Sequence, residues 1–204
     1  MDRIELLSPA GDLERLKVTL LYGADAVYAS VGNFSLRQRS AKEFDLESFE
    51  EGVRLAHKSG AKFYATINGF PYNTQLDNLK KHIKTVSEFG VDAFIIATPG
   101  VMKLAKQIAP QIEVHLSTQA NVMNYLDAQI YHEMGASRIV AAREMSLKDA
   151  VLIKEMIPSL ELEIFCHGSM CFAYSGRCLV SAVQSGRLSN RGSCANDCRF
   201  NYEL

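Results

Sequence analysis

Short apolar runs alternate with longer amphipathic stretches along most of the chain, and the alternation repeats about every 25 to 30 residues. The runs are rich in apolar and β-branched residues and too short for helices, which predicts strands that are mostly buried on both faces. The predicted strands are Ile4 to Leu7, Ala26 to Ala29, Phe63 to Ile67, Ala93 to Ala97, Glu113 to Leu116, Arg138 to Ala141 and Glu161 to Phe165. The pattern therefore predicts seven consecutive βα units.

The stretches between the runs have helical periodicity. In the third stretch Leu76, Leu79, Ile83 and Val86 recur at spacings of three and four, which predicts one face packed on a core. Ends are marked as well, by Thr98 followed by Pro99, by Ser146 with Asp149, and by glycines after the helices. The glycines that follow predicted helices are Gly23, Gly60, Gly90 and Gly135.

Seven βα units favour a TIM-type (β/α) barrel over an open doubly wound sheet. No glycine-rich dinucleotide fingerprint follows the first strand, and the spacing never breaks for a topological switch. A full barrel needs about 250 residues, and one strand is missing. We therefore expect residues 1–165 to form an incomplete barrel from a longer protein with a further C-terminal domain. We expect residues 166–204 to be a cysteine-rich metal-binding segment that closes or caps the barrel mouth, the alternative being a degenerate last βα unit within residues 170–204.

Composition places the chain among ordinary globular proteins. Its 204 residues are 48% hydrophobic and 22% charged, enough for one main domain with a core. The net charge of −1 shows no overall basic surplus, so a nucleic-acid partner would use a local patch. The apolar run at the start ends at Pro9, too short for a signal peptide or a membrane span. We expect a cytoplasmic protein with no membrane partner.

Polar residues concentrate where the predicted strands end, which is where active sites of this fold lie. His115, Ser117 and Gln119 would point together into the mouth if the extended conformation of strand five persists. The candidate catalytic residues are His115, Ser117, Gln119, Arg143, Glu144 and His167, and Asn68 and Asn121 are candidate substrate-binding residues. Loop capping is the alternative for each. Arg143 and Glu144 could equally form a structural ion pair, and Glu163 could be a buried partner of an arginine.

The five cysteines lie in one short stretch, after 165 residues that contain none. In a reducing compartment such a cluster favours metal ligands over disulfides. Cys171, Cys178, Cys194 and Cys198 are the predicted ligands, and thiolates suit zinc or an iron-sulfur cluster without deciding between them. Cys166 continues an apolar strand, so we expect it to be a buried packing residue.

Several motifs resemble a known family. They are the run from Glu163 to Cys171, Tyr174-Ser175-Gly176-Arg177-Cys178, Asn190-Arg191-Gly192-Ser193-Cys194, Leu7-Ser8-Pro9-Ala10-Gly11, and His115-Leu116-Ser117 with Gln119-Ala120-Asn121. This set resembles the collagenase-like peptidase family, once classed as peptidases of unknown mechanism. The run Ala195-Asn196-Asp197-Cys198-Arg199 is most similar to the branch of that family that hydroxylates tRNA.

The resemblance implies an enzyme that hydroxylates a pyrimidine of RNA, in the nearest branch the wobble uridine of tRNA. It implies chemistry linked to prephenate without molecular oxygen, and a partner protein of the same family. It also implies a four-iron four-sulfur cluster, whose ligands would match Cys171, Cys178 and Cys194, with Cys198 or a downstream cysteine as the fourth. RNA contact would then fall on a local cationic patch, although solubility explains each arginine as well. The patch consists of Arg177, Arg187, Arg191 and Arg199.

Two other functions remain open from the sequence. A collagenase-like protease is the family's historical activity, but His132-Glu133 lacks the second histidine of a zincin helix and no serine lies in a G-x-S-x-G elbow. Cys171 with His167 would be its nucleophile pair. A zinc-stabilised RNA-binding module without catalysis needs only the cysteines and arginines. It leaves the polar residues around strand five unexplained.

Overall fold

Seven parallel strands form one sheet in chain order in the computed structural model, which describes residues 4–36, 44–171, 173 and 178–202. The strands are β1 (Leu7–Pro9), β2 (Ala26–Ala29), β3 (Lys62–Ile67), β4 (Ala93–Ile96), β5 (Glu113–Leu116), β6 (Arg138–Val140) and β7 (Glu161–Glu163). Every neighbouring pair is parallel, so all strand C-termini lie at the same end. The predicted seven βα units are confirmed.

A helix follows each of the first six strands and covers the outer face of the sheet. These helices are α1 (Leu13–Leu21), α2 (Leu46–Lys58), α3 (Leu76–Glu88), α4 (Pro99–Ile108), α5 (Tyr125–Glu133) and α6 (Leu147–Met156). Beyond β7 come α7 (Val180–Ser185) and the short 3-10 helices Ser189–Arg191 and Asp197–Arg199. No helix in the described part of the chain is both long and apolar enough to cross a membrane.

The core lies between the sheet and its helices. Phe49 of α2 is fully buried, and its ring meets those of Phe44 and Phe63 edge-on at centroid distances of 5.7 and 5.0 Å. The inner face of the sheet carries a different set of residues, because alternate residues of a strand point to opposite faces. Arg138 of β6 reaches across this inner space to Glu5 and Tyr64, which shows that the sheet is curled. The architecture is the predicted TIM-type one.

Two predicted strands differ from the structure by more than one residue at an end. Strand β1 begins at Leu7, later than predicted, because Leu7 is the first residue to pair with β2, opposite Ala26. Strand β7 ends at Glu163. The carbonyl of Glu163 accepts a hydrogen bond from the N–H of Ala141, the residue after β6 (2.8 Å). The residues after Glu163 therefore leave the sheet, and Cys166 is exposed. The prediction that Cys166 packs in a core was wrong.

The cysteine segment, residues 166–202, is held on the barrel by Arg191. This side chain donates from Nη1 to the carbonyl oxygen of Phe70 (2.9 Å) and from Nη2 to Oε1 of Gln75 (2.6 Å). Its guanidinium also lies 3.8 Å from the ring centroid of Tyr72. These partners belong to the loop after β3, so the contact fixes the segment at the C-terminal end of the strands.

The contact made by Arg191 predicts a local effect of its removal. Arg191→Ala loses two hydrogen bonds and a cation–π contact, and we expect the docking of the segment to weaken by about 2 kcal/mol. Amide hydrogen exchange should then rise in both residues 69–76 and residues 186–193. Arg199→Ala is the control, because Arg199 donates to the carbonyl of Met170 (2.6 Å) inside the segment. Unchanged exchange at residues 69–76 in Arg191→Ala would contradict this account.

Candidate active site at the barrel mouth

Charged residues fill the N-terminal half of the barrel interior. Arg138 donates from Nε to Glu161 (2.8 Å) and pairs through Nη1 with Glu5, while the Tyr64 hydroxyl donates to Glu5 (2.8 Å). Glu163 lies 3.9 Å from Arg138 on the same strand face as Glu161. We call this set, with His115, the lumen network. Glu163 therefore has a buried arginine, Arg138, as a neighbour, which is one of the two roles that the sequence left open for it.

Hydrogen bonds within the lumen network set the charge of its members. Burial alone would raise the pKa of Glu5, but hydrogen bonds from Arg138 and Tyr64 outweigh it and hold that pKa below its ordinary value. Burial would lower the pKa of Arg138, but its bonds to Glu5 and Glu161 raise it. The pair is therefore ionised across the usual pH range. It lies at the end of the barrel where residues serve stability.

His115 is buried and Glu163 is half-buried in the interior, and each has a polar atom without a hydrogen bond, although Nε2 of His115 lies 3.5 Å from the carboxylate of Glu113. His115 is 1% exposed, its ring packs edge-on against Tyr64 at 4.5 Å, and neither ring nitrogen has a hydrogen-bond partner. Burial, with the nearby charge of Arg138, lowers the pKa of His115 to about 3. Burial raises the pKa of Glu163 to about 7, and its Oε2 is unpartnered. Both are neutral groups near pH 6, where an ordinary glutamate would be charged.

The expected convergence of three residues of strand five was wrong. Strand β5 ends at Leu116, and Ser117 caps a 3-10 helix, Thr118–Ala120, by accepting from the backbone N–H of Gln119 (3.4 Å). The extended conformation therefore ends at Ser117, whose N–H still donates to Ile96 of β4 (2.7 Å), and Gln119 leaves the register of His115. Oε1 of Gln119 is buried with no partner. Asn121 ends the helix at φ 57°, and its backbone N–H donates to Thr118.

Arg143, Glu144 and His167 follow β6 and β7 at the mouth. The Arg143 guanidinium lies 5.5 Å from the ring centroid of Phe165, and its Nη1 is buried with no hydrogen-bond partner. Glu144 and His167 are exposed. Among the described residues no ion pair joins Arg143 to Glu144, and no hydrogen bond joins His167 to Cys171. Arg143 therefore offers an unsatisfied cationic donor at the mouth.

A cleft of about 370 Å³ opens between the strand ends and the cysteine segment. We call it the mouth cleft. One side is formed by the loops after β2 and β3, and the other by residues 186–193. Its principal lining residues are Phe34, Gly69, Phe70, Arg187, Leu188 and Ser193.

The loops on the barrel side of the mouth cleft are tied together. The N–H of Gly69 donates to the carbonyl of Phe34 (2.7 Å), and a Cβ at Gly69 would lie 2.9 Å from that oxygen. The Ser35 and Thr66 hydroxyls are hydrogen-bonded at 3.0 Å. Asn68, a predicted substrate-binding residue, accepts from the N–H of Leu36 (3.0 Å). This side of the cleft is therefore already formed in the unliganded protein.

The described arginines among those predicted to contact RNA make hydrogen bonds within the protein. Arg187 donates from Nε to Ser193 and from Nη2 to the carbonyl of Cys194, each at 3.3 Å. Arg191 and Arg199 bind the loop after β3 and Met170 as described above. Arg177 lies outside the described residues. A role in RNA binding stays a prediction for all four.

Comparison with known proteins decides the family. Residues 11–204 match peptidase family U32. The chain belongs to peptidase family U32. A tRNA hydroxylation protein P of Helicobacter pylori is 64% identical over 203 residues, covering 100% of this chain and 48% of that protein. A 23S rRNA 5-hydroxycytidine synthase of Escherichia coli is 37% identical over 202 residues, covering 99% of this chain and 30% of that protein.

The fold agrees with this assignment. The solved structure of a U32 peptidase superposes with a TM-score of 0.67 at 16% identity, covering 79% of this chain and 68% of that one. The chain spans about half the length of the Helicobacter pylori relative. What the whole U32 protein acts on is therefore a question for the proposals below.

The cysteines of this U32 chain are free thiols, which suit a metal centre, but the described ones do not lie close together. All five are free; Cys171, Cys194 and Cys198 are exposed and Cys178 is half-buried. Sγ of Cys194 accepts from the N–H of Asn196 (3.4 Å), the kind of hydrogen bond that tunes iron-sulfur ligands. Among the described residues, however, no three Cys, His, Asp or Glu side chains are gathered to hold a metal ion. The metal site stays a prediction.

The lumen network was missed in the sequence. Arg138 was assigned to a buried strand without a role, and Glu5 and Tyr64 were not singled out. A signal was available, because a charged residue inside an apolar strand needs a partner, and Glu161 and Glu163 alternate on the next strand. Glu5 could not have been found this way, since it meets Arg138 only when the sheet curls.

Two residues of the lumen network, Glu163 and His115, should change the stability of this U32 protein with pH in opposite directions. Between pH 4.5 and about 7 the unfolded chain loses the Glu163 proton while the folded protein keeps it, so this residue destabilises the fold as pH rises. The free energy of unfolding of wild type relative to Glu163→Gln should fall by up to about 1.4 kcal/mol per pH unit in that window. Urea unfolding at several pH values measures it.

His115 supplies the internal control, because its effect on the free energy of unfolding changes with pH in the opposite direction to that of Glu163. Between pH 6.5 and about 3 His115 is protonated in the unfolded chain but neutral in the folded protein. The residue therefore destabilises the fold as pH falls. Wild type relative to His115→Phe should therefore gain stability as pH rises toward 6.5. Parallel curves for wild type and both variants would show that neither group is held neutral in the interior.

Proposed function

We propose that the protein hydroxylates a pyrimidine of RNA, with the wobble uridine of tRNA as the first candidate substrate. The observation that carries this proposal is the 64% identity, over the whole chain, to a protein named for tRNA hydroxylation. A second relative is named for forming 5-hydroxycytidine in ribosomal RNA, so the shared chemistry would be hydroxylation of a pyrimidine ring.

The arrangement at the mouth supports this proposal. The mouth cleft lies at the C-terminal ends of β2 and β3, where this fold places its active sites. Arg143 presents a buried Nη1 without a partner at the end of β6. A guanidinium in that state suits a carboxylate, which would satisfy it with charge-assisted hydrogen bonds. Glu144, the next residue in the chain, and His167, which follows β7, are both exposed and are proposed to move protons.

Hydroxylation needs more than the RNA. Replacing the ring hydrogen by a hydroxyl group oxidises the base by two electrons, so an oxygen donor and an electron acceptor must take part. We propose prephenate as the co-substrate, without molecular oxygen, because of the family resemblance described above. Its alcohol group would supply the oxygen atom, and its C–O bond would be reduced to C–H by the two electrons that the base loses. Its carboxylates would be bound by Arg143.

The cysteines are proposed to bind a four-iron four-sulfur cluster. Cys171, Cys178 and Cys194 would hold it, with Cys198 or a downstream cysteine as the fourth ligand, and the cluster would supply electron transfer. Zinc is the alternative for the same thiolates. Among the described residues these side chains are not gathered around one point, so they would have to move together to bind either metal centre.

The proposal predicts a metal content and an activity that depend on the same cysteines. Full-length protein purified without oxygen should contain iron and sulfide. With prephenate added, it should convert uridine of unmodified tRNA to a nucleoside with one added oxygen, detected by mass spectrometry of digested RNA. Cys178→Ala should lose the metal and the activity together. Cys166→Ala is the matched control and should keep both, since Cys166 is not a proposed ligand.

The opposite results separate the alternatives. A colourless protein with tightly bound zinc and no hydroxylation would favour the non-catalytic RNA-binding module. Cleavage of denatured collagen that survives Cys178→Ala would favour the peptidase. Either outcome would overturn the hydroxylase proposal.

A further inference from the structure

We propose that the mouth cleft receives the target pyrimidine, turned out of the RNA and inserted as a single nucleotide. This inference rests on the proposed function and names the site at which that function would act. A base that is to be modified on its ring must leave the stack, and enzymes of this kind hold it in a small pocket that combines stacking with hydrogen bonds. The mouth cleft has these properties.

The size of the cleft restricts what can enter. At about 370 Å³ it is near the lower end of the volumes found for small-molecule sites. A single nucleotide fits such a space, whereas a helix of RNA does not. Recognition of one splayed base is also how proteins read RNA loops, where bases are already unstacked.

The walls of the cleft match the two surfaces of a base. Phe70 and Pro71 supply an apolar side against which a ring can stack. Gln75, Arg187 and Ser193 supply polar groups on the remaining sides, suited to the edge of a pyrimidine. An apolar face with a polar edge is the surface pattern that a nucleobase presents.

The far wall connects the cleft to the cysteines. Arg187 and Ser193 line the cleft, and Arg187 donates to the carbonyl of Cys194. Ser189, which follows the lining residue Leu188, donates to the carbonyl of Cys178 (2.6 Å). A base in the cleft would therefore lie against the backbone that positions two of the proposed metal ligands.

A second cleft of the protein lacks these features. It has a volume of about 450 Å³ and shares Phe70 and Pro71, but its other walls come from α3 and α4 on the outside of the barrel. Leu76, Val101 and Leu104 make it largely apolar, and no residue of the cysteine segment lines it. Its polar lining residues, Lys80, Lys103 and Gln107, belong to the outer helices, so a base held there would lie away from the strand ends and from the cysteine segment.

The test combines a cleft-filling variant with an altered RNA. Leu188 lines the cleft and is 41% exposed, so Leu188→Trp adds bulk to the cleft without disturbing the core. Val183 lies on α7 in the same segment, is 79% exposed and does not line the cleft, which makes Val183→Trp the matched control. Each full-length protein is titrated with an anticodon stem–loop carrying either the wobble uridine or an abasic site at that position.

The expected result is a loss of base preference in one variant alone. Wild type and Val183→Trp should bind the uridine RNA more tightly than the abasic RNA, by roughly 5- to 150-fold, the contribution of one stacked base. Leu188→Trp should bind both RNAs with the affinity that wild type shows for the abasic one. Circular dichroism of each variant confirms that it is folded.

The other outcomes are distinguishable. Equal binding of the two RNAs by wild type, or a preference that survives in Leu188→Trp, would overturn the cleft proposal and leave RNA hydroxylation standing. No binding of either RNA by wild type would overturn both proposals.

Discussion

The docking of the cysteine segment through Arg191 is the interaction on which the candidate site depends. A TIM-type sheet fixes the ends of its strands, but the loops at the mouth enclose a site only if something closes over them. Arg191 supplies that contact through two hydrogen bonds and the face of Tyr72. Without it, the loop after β3 and the segment would move independently, and the mouth cleft would open on one side.

The barrel has two ends with different physical roles. At the N-terminal end, Arg138 and Glu5 form a buried ion pair that holds the curled sheet and is satisfied within the protein. At the C-terminal end, polar atoms of Gln119 and Arg143 are buried without partners, which is costly for stability unless a ligand satisfies them. Unpartnered polar atoms also occur on His115 and Glu163 of the lumen network. The proposal that the chemistry lies at the mouth therefore rests on Arg143 together with the position of the mouth cleft at the strand ends.

The sequence predicted the fold well because its signal is periodic and local. Strand β5 and helix α3, for example, lie where alternation and helical spacing placed them. Contacts distant in the chain were not predictable in the same way: Glu5 meets Arg138 only through the curl of the sheet, and Arg191 was assigned to RNA because nothing local tied it to the loop after β3. The strand-five cluster failed for a local reason, since Ser117 caps a 3-10 helix.

Photochemical crosslinking tests most directly the claim that the strand ends and the cysteine segment form one RNA site. An anticodon stem–loop with 4-thiouridine at the wobble position is irradiated in complex with the full-length protein, and the crosslinked peptide is identified by mass spectrometry. The account predicts crosslinks within residues 69–75 or 186–193. Crosslinks confined to the outer helices, such as α5 and α6, would contradict it.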